Sequence, residues 1–213
     1  MKSNNFSHEI EAYTNALLEP SMTKAIDVSK KFIQEDKDIK LFWENIIVPT
    51  MHDIGKRWAN NEITVGEEHT ATSISQRVMA EYYERILNTN EESKRKILVT
   101  ISPKELHQIG ARMVADLLEL NGYDVDFLGS NVRIEEILDT IVTNNIKEII
   151  ISTTLVSSLN STEELILEIK SILKDKIKIY VGGQAYTSSL DIKTNADKYI
   201  ADVNSLLSEL KRE

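Results

Sequence analysis

The 213-residue sequence contains no cysteine, which removes disulfides, iron–sulfur clusters and thiolate zinc sites and fits a reducing, cytoplasmic setting. Glycine and proline are scarce, at 7 and 3 residues, while 41% of the chain is hydrophobic; folded, helix-rich material is implied. No run approaches the roughly 18 consecutive apolar residues of a membrane span, and the N-terminus lacks the charged start, apolar core and cleavage site of a secretion signal. Membrane residence is therefore not expected. Positive charge is short as well. Against 34 Asp+Glu stand 25 Lys+Arg, a net charge of -9, and the acidic excess is shared by both halves. Direct nucleic-acid binding needs clustered cations to displace the counterions of phosphate, and the sequence has no such cluster.

What is present divides the chain near residue 92. In residues 1–92 apolar side chains recur at helical spacing: Ile10, Tyr13, Ala16 and Leu17, then Ala25, Ile26, Phe32 and Ile33, then Leu41, Phe42, Ile46 and Ile47. Pro20-Ser21 separates a first helix from a second, and the polar stretch Gln34–Asp38 separates the second from a third. Pro49 falls inside the third helix and predicts a kink. A fourth helix is predicted from Thr64 to Leu87, after a turn at Ala59–Glu62. Four helices with short connections predict a four-helix bundle.

Past a polar linker at Glu91–Lys96, residues 93–213 alternate short β-branched runs with helical stretches. Strands are predicted at Ile97–Ile101, Val125–Leu128, Glu148–Ser152 and Ile177–Val181, with a weak last one near Tyr199–Ile200. Helices fall between them, including one from His107 to Asn121 and one capped by Ser161 or Thr162. This alternation predicts an α/β domain with a parallel sheet of about five strands covered on both faces. Ligands of such sheets sit outside the carboxyl ends of the strands, which directs attention to Ser102–Gly110, Gly129–Asn131, Ser152–Leu155 and Gly182–Tyr186. The phosphate-binding patterns GxGxxG and GxxxxGK[ST] are absent, so a nucleotide is disfavoured. Gly182-Gly183 reads better as a close approach of backbone to a bulky ligand, with the hydroxyls of Ser152, Thr153 and Thr154 alongside.

The first of these strand ends carries the most chemistry. Glu105 and His107 would face apart on a helix, but Pro103 argues for a loop, in which the carboxylate can hold one imidazole nitrogen while the other points outward. That is how a metal-ligating histidine is oriented and made more basic. Gly110 leaves room beside the backbone. One nitrogen ligand cannot make a zinc or iron site by itself, so the metal must bring its other ligands, as in haem or a corrin.

The segment Glu105-Leu-His-Gln-Ile-Gly110 resembles the D/E-x-H-x-x-G signature of the cobalamin (vitamin B12)-binding domain. Ser152–Leu155 and Gly182-Gly183 fall, in order and spacing, where that family carries its S-x-L and GG elements, with Thr154 at the Leu place. The resemblance covers residues 93–213 and implies a flavodoxin-like, Rossmann-like fold. It further implies that the nucleotide tail of the cofactor leaves cobalt and enters the sheet crevice past Ser152, Thr154, Gly182 and Gly183. His107 then becomes the lower axial cobalt ligand, with Glu105 behind it and Gly110 beside it.

A four-helix cap precedes this domain in corrinoid methyltransferase subunits and in adenosylcobalamin-dependent light-sensing regulators. Trp58, nine intervening residues and Glu68-His69 are similar to the W-x9-E-H element of the photoreceptors, which implies that these three cover the upper, adenosyl face. Two differences stand out. The regulators usually carry a DNA-binding domain ahead of the bundle, whereas Met1 here leads almost directly into the first helix. The histidine that can capture cobalt after photolysis in the best-known members is Ala59 here, leaving water, His52 or His69 to take its place. The reading is thus a non-catalytic, light-responsive cobalamin sensor that holds adenosylcobalamin between cap and sheet domain and signals to a partner protein or by oligomer change. The alternatives are a corrinoid methyl-carrier subunit of a methyltransferase system, working with methylcobalamin, and a storage or delivery protein.

Overall fold

A computed structural model describes residues 6–88, 95–187 and 193–211, so most of the expected linker, residues 91–94, lies outside the described residues. The chain divides into two compact units, Met1–Asn88 and Thr89–Glu213.

The first unit is helical: α1 (Ser7–Leu18), α2 (Met22–Phe32), α3 (Lys37–Phe42), α4 (Val48–Ala59), α5 (Val65–Ala80) and α6 (Tyr83–Asn88). Between α3 and α4 the chain continues as a π-helical turn, Trp43–Ile47, so the two form one rod. Pro49 has no N–H to give to the carbonyl four residues back. The disturbance expected there takes the form of this π turn, in which Val48 N–H reaches Trp43 O, five residues earlier. Tyr13, Phe42, Trp43, Ile46, Ile47, Ile54 and Val78 are among the residues that fill the core of the bundle, and Tyr13, Phe32 and Trp43 all meet the ring of Phe42.

Ser21 caps α2, as its position after Pro20 predicts. Thr64 opens α5 with a capping box, its hydroxyl accepting from Glu67 N–H while the Glu67 carboxylate accepts from Thr64 N–H. The fourth helix differs from expectation by a break at Glu81-Tyr82. Beyond it, Tyr82 donates to Ser29 Oγ at 2.9 Å and Arg85 to Asp36 Oδ1 at 2.7 Å. These tertiary bonds outweigh the local preference to continue one helix.

The second unit places β1 (Lys96–Ile101), β2 (Asp124–Leu128), β3 (Glu148–Ser152), β4 (Lys178–Gly182) and β5 (Lys198–Tyr199) in one parallel sheet of order β2-β1-β3-β4-β5. This is the flavodoxin-like order. Side chains alternate along the strands. Ile97, Val99 and Ile101 join Ile150 and Tyr180 in a core under α7 (Ile109–Glu119) and α11 (Val203–Leu210). Leu98, Ile149, Ile151, Ile179 and Val181 face the opposite way, against α8 (Ile134–Thr143) and α9 (Leu159–Leu173). Helix α9 begins earlier than the Ser161–Thr162 cap predicts: a 3-10 turn, Val156–Ser158, leads into it from Ser158. A short helix, α10 (Gln184–Thr187), follows β4.

With this order the chain leaves β1 toward β2 on one side and β3 toward β4 on the other, so the switch point lies between β1 and β3. The loops after those two strands are Ser102–Gln108 and Thr153–Leu155, and a ligand crevice is expected where they part.

Candidate functional site

Strand β1 hands the chain to a turn. Ser102 O accepts from Glu105 N–H at 3.2 Å, Pro103 fills the second place, and Lys104 sits at φ 67°. This left-handed position usually belongs to glycine, and for a lysine it stores about 1 kcal/mol of strain. The turn drives the Glu105 side chain inward and leaves the following residues outside. Helix α7 starts only at Ile109, so His107 lies in the loop that Pro103 predicts rather than at the head of the helix.

The Glu105 side chain is fully buried. Its carboxylate accepts the backbone N–H of Thr154 at 3.1 Å and of Leu155 at 2.9 Å, which ties the β1 loop to the chain just past β3. The same group stands 3.3 Å from His107 Nδ1. With Nδ1 turned toward the carboxylate, Nε2 lies on the far edge of the ring, and 46% of the side chain is exposed. A buried carboxylate behind one nitrogen of a half-exposed imidazole favours the tautomer that presents the other nitrogen as a base.

The base of the crevice is built from main chain and hydroxyls. Ser102 N–H donates to Ser152 O and Thr153 N–H to Gly182 O, so the hydrogen bonding continues past the strand ends from β1 to β3 to β4. Thr153 Oγ1 shares a hydrogen bond of 2.8 Å with Thr162 Oγ1, and Ser102 Oγ donates to Ser158 O. Thr153 and Thr162 are buried, whereas Ser152 and Thr154 remain partly accessible. Ser158 has no part in the sequence reading and Thr162 enters it only as a helix cap, because the helical period of α9 conceals that its first turn also closes the crevice floor.

The glycine pair meets the chain's own backbone. A Cβ on Gly183, at φ 103°, would lie 2.4 Å from Thr153 O, and one on Gly182 would lie 2.8 Å from Ile200 O. Tyr186, next in this segment, is buried, and desolvation pushes its phenol up to about 12. Gly110 is different: a Cβ there would meet nothing within 4 Å. Two residues of the predicted strand-end segments to which the sequence gives no role of their own, Gly129 and Gln108, meet one another. A Cβ on Gly129 would lie 2.4 Å from Gln108 Oε1, and that oxygen accepts Ser130 N–H at 3.2 Å.

In the helical unit, Glu68 and His69 are joined, Glu68 Oε2 lying 2.5 Å from His69 Nδ1, and Thr72 Oγ1 donates to Glu68 Oε1 at 2.8 Å. Most of the His69 side chain, 71%, is exposed. Trp58 is exposed in the last turn of α4, and among the described residues it makes no hydrogen bond or ring contact with Glu68 or His69. His52 is exposed on α4.

Among the described residues no three His, Asp or Glu side chains gather as a metal cage, and no helix is long and apolar enough to cross a membrane. A single imidazole backed by a carboxylate at a sheet switch point fits a metal that arrives with its other coordination places already filled. The residues present therefore fit a corrinoid.

Comparison with known proteins agrees. Residues 95–203 match the B12 binding domain family, and residues 9–83 match a second family of the same description, B12 binding domain. Over 177 residues, 83% of this chain and 57% of the relative, the sequence is 24% identical to the HTH-type transcriptional repressor CarH of Myxococcus xanthus. Over 108 residues, 50% of this chain and 51% of the relative, it is 28% identical to the dimethylamine corrinoid protein of Methanosarcina barkeri. The chain thus spans about half the length of the curated relatives it matches. Among solved structures, the monomethylamine corrinoid protein of Methanosarcina barkeri superposes with a TM-score of 0.77 over 98% of this chain and 100% of that one, at 16% identity, a likeness of fold. On the match that spans the whole parallel-sheet unit from β1 to the start of α11, the chain belongs to the B12-binding family, and cobalamin is its ligand.

Proposed function

We propose that this protein is a cytoplasmic cobalamin sensor in which His107 holds cobalt from below and Glu105 orients it. Ser152, Thr154, Gly182 and Gly183 line the crevice for the nucleotide tail, and Gly110 leaves space beside it. Trp58, Glu68 and His69 cover the upper ligand, which favours adenosylcobalamin. When bound, the cofactor supplies a cobalt–carbon bond that light can break. Trp58 and the Glu68–His69 pair would be the residues freed to move once the upper ligand is lost, with the output going to a partner protein or to a change of oligomer.

The observation that carries this reading is the Glu68–His69 pair on α5, bonded at 2.5 Å with most of the imidazole exposed. It sits nine intervening residues after Trp58, the spacing of the light-sensing regulators. The similarity to CarH, reaching across 83% of the chain, supports the same reading. A second reading, a methyl carrier using methylcobalamin with a methyltransferase partner, draws support from Ala59 and from the resemblance to the dimethylamine corrinoid protein.

Spectroscopy separates them. The purified protein is mixed with adenosylcobalamin in the dark, its absorbance and elution volume are recorded, and both are repeated after illumination. The sensor reading expects a lasting spectral change with a change in size or partner affinity, and weaker binding of adenosylcobalamin by Trp58→Ala. Equal affinity for methylcobalamin and adenosylcobalamin, with no light-dependent change of size, favours the carrier. Replacement His107→Ala removes the histidine-ligated spectrum; retention of that spectrum overturns the assignment of the axial ligand.

A further inference from the structure

We propose that Gln108 is a second positioning residue for His107, acting through Gly129 and Ser130 on the side of the site opposite Glu105. The proposal rests on His107 as the axial ligand. His107 is carried by a loop fastened at two points, one on each side. Two residues before it, Glu105 accepts N–H groups of Thr154 and Leu155, past the end of β3. One residue after it, Gln108 Oε1 accepts the N–H of Ser130, past the end of β2, at 3.2 Å. Since β1 lies between β3 and β2, the loop leaving β1 is held to both of its neighbours, and a hinge at either end of the His107 segment is blocked.

Helix capping does not account for Gln108. It occupies the N-cap of α7, where short side chains such as Ser or Asp are preferred, yet its side chain makes no cap bond. Instead the amide turns toward the β2 loop and fills the space that a side chain on Gly129 would take, 2.4 Å from the position of a Cβ. Gly129 is not at a positive φ, so it is there for room rather than for backbone freedom. The atom in the way is the far end of a flexible side chain, and Gly129→Ala therefore expels Gln108 while leaving the backbone intact.

That substitution is the test, read with adenosylcobalamin on the full chain. Removing an outer-sphere partner bonded to a metal-ligating histidine weakens affinity by about 10-fold to 100-fold; Gln108 holds Ser130 rather than the imidazole, so a drop at the lower end, about 10-fold, is expected for Gly129→Ala and for Gln108→Ala. The fraction of bound cofactor with the histidine-ligated spectrum falls in both. Gln108→Glu, which keeps an acceptor oxygen at the same reach, retains the parent spectrum. The double variant Gln108→Ala with Gly129→Ala is no weaker than either alone, because both remove one contact. Parent affinity and parent spectrum in both single variants overturn the proposal, as does a fall in affinity that follows the melting temperature of the ligand-free protein with ligation unchanged. His107→Ala distinguishes the two failures. If it loses the histidine-ligated spectrum while Gly129→Ala keeps it, the role of Gln108 alone is wrong; if it keeps that spectrum, the axial assignment and this proposal fall together.

Discussion

The carboxylate of Glu105 lies 3.3 Å from Nδ1 of His107, and it does so from a fully buried position. One group thereby performs two tasks. It anchors the loop after β1 to the chain after β3, through the N–H groups of Thr154 and Leu155, and it orients the imidazole that the loop carries. Neither task needs the other, so substitution can separate them.

Glu105→Ala removes the acceptor for two backbone N–H groups. Each orphaned donor in a poorly hydrated place costs about 1–3 kcal/mol; partial access to water at Thr154 and Leu155 sets the expected loss at about 2 kcal/mol for the pair. Urea unfolding of the ligand-free protein reads it. Glu105→Gln keeps an acceptor oxygen and should lose less stability, while cobalamin affinity falls in both variants. A midpoint for Glu105→Ala equal to the parent would mean that the anchor carries no free energy.

The glycines of the site should behave in opposite ways. In Gly183→Ala a Cβ meets backbone at 2.4 Å from a residue already at φ 103°, and neither atom can step aside. A loss of at least about 3 kcal/mol, or no folded protein, is expected. Gly110→Ala meets open space within the first turn of α7 and should gain up to about 0.5 kcal/mol of helix preference. If cofactor passes beside Gly110, the same variant binds cobalamin less tightly while melting no lower. An unaltered affinity would remove Gly110 from the site.

These contrasts mark what could be read from residues alone. The β-branched runs at Ile97–Ile101 and Glu148–Ser152 fix strands because alternation and burial are local properties, and Pro103 fixes the loop because its ring is local too. The partners of Glu105 are backbone groups 49 and 50 residues away, and no side-chain pattern marks a backbone donor. Gln108 and Gly129 gain meaning only once the order β2-β1-β3 sets their loops side by side. The same holds for the break at Glu81-Tyr82, which depends on Ser29 and Asp36, whereas the π turn is local and lies just ahead of Pro49, where the sequence already marks a disturbance.

Acid should loosen the start of α5. Hydrogen bonds from the Thr64 backbone and side chain hold the Glu67 carboxyl below its ordinary value of 4.5. A depressed folded-state value means that the charged form contributes stability, fully present above the unfolded value and lost as pH falls through the folded one. Protection of amides in the first turn of α5, exchange being corrected for its intrinsic fall with pH, should therefore drop below about pH 4.5 in the parent; Thr64→Ala, which keeps the backbone donor, should only reduce this dependence, and Glu67→Gln should abolish it. An equal loss of protection in Glu67→Gln would assign the effect to some other group.

A last variant tests whether loss of stability by itself disturbs the site. Arg95, just ahead of β1, pairs with the buried Glu148 carboxylate at the start of β3 and donates to Leu210 O at 2.7 Å. Glu148 therefore lies at the amino end of its strand, about 13 Å from the crevice end at about 3.3 Å per residue. Arg95→Ala strands a buried charge and removes one bond to the last turn of α11, whose leucines stay packed in the core, an expected loss of about 3 kcal/mol. Nothing at His107, Glu105 or Gln108 moves in consequence, because the strand ends there are fastened by their own hydrogen bonds. The protein that remains folded should bind cobalamin with parent affinity and the parent spectrum. Weakened binding at a temperature where Arg95→Ala is fully folded would show that the two ends of the sheet are coupled, and the affinity losses of the site variants would then need correction for stability.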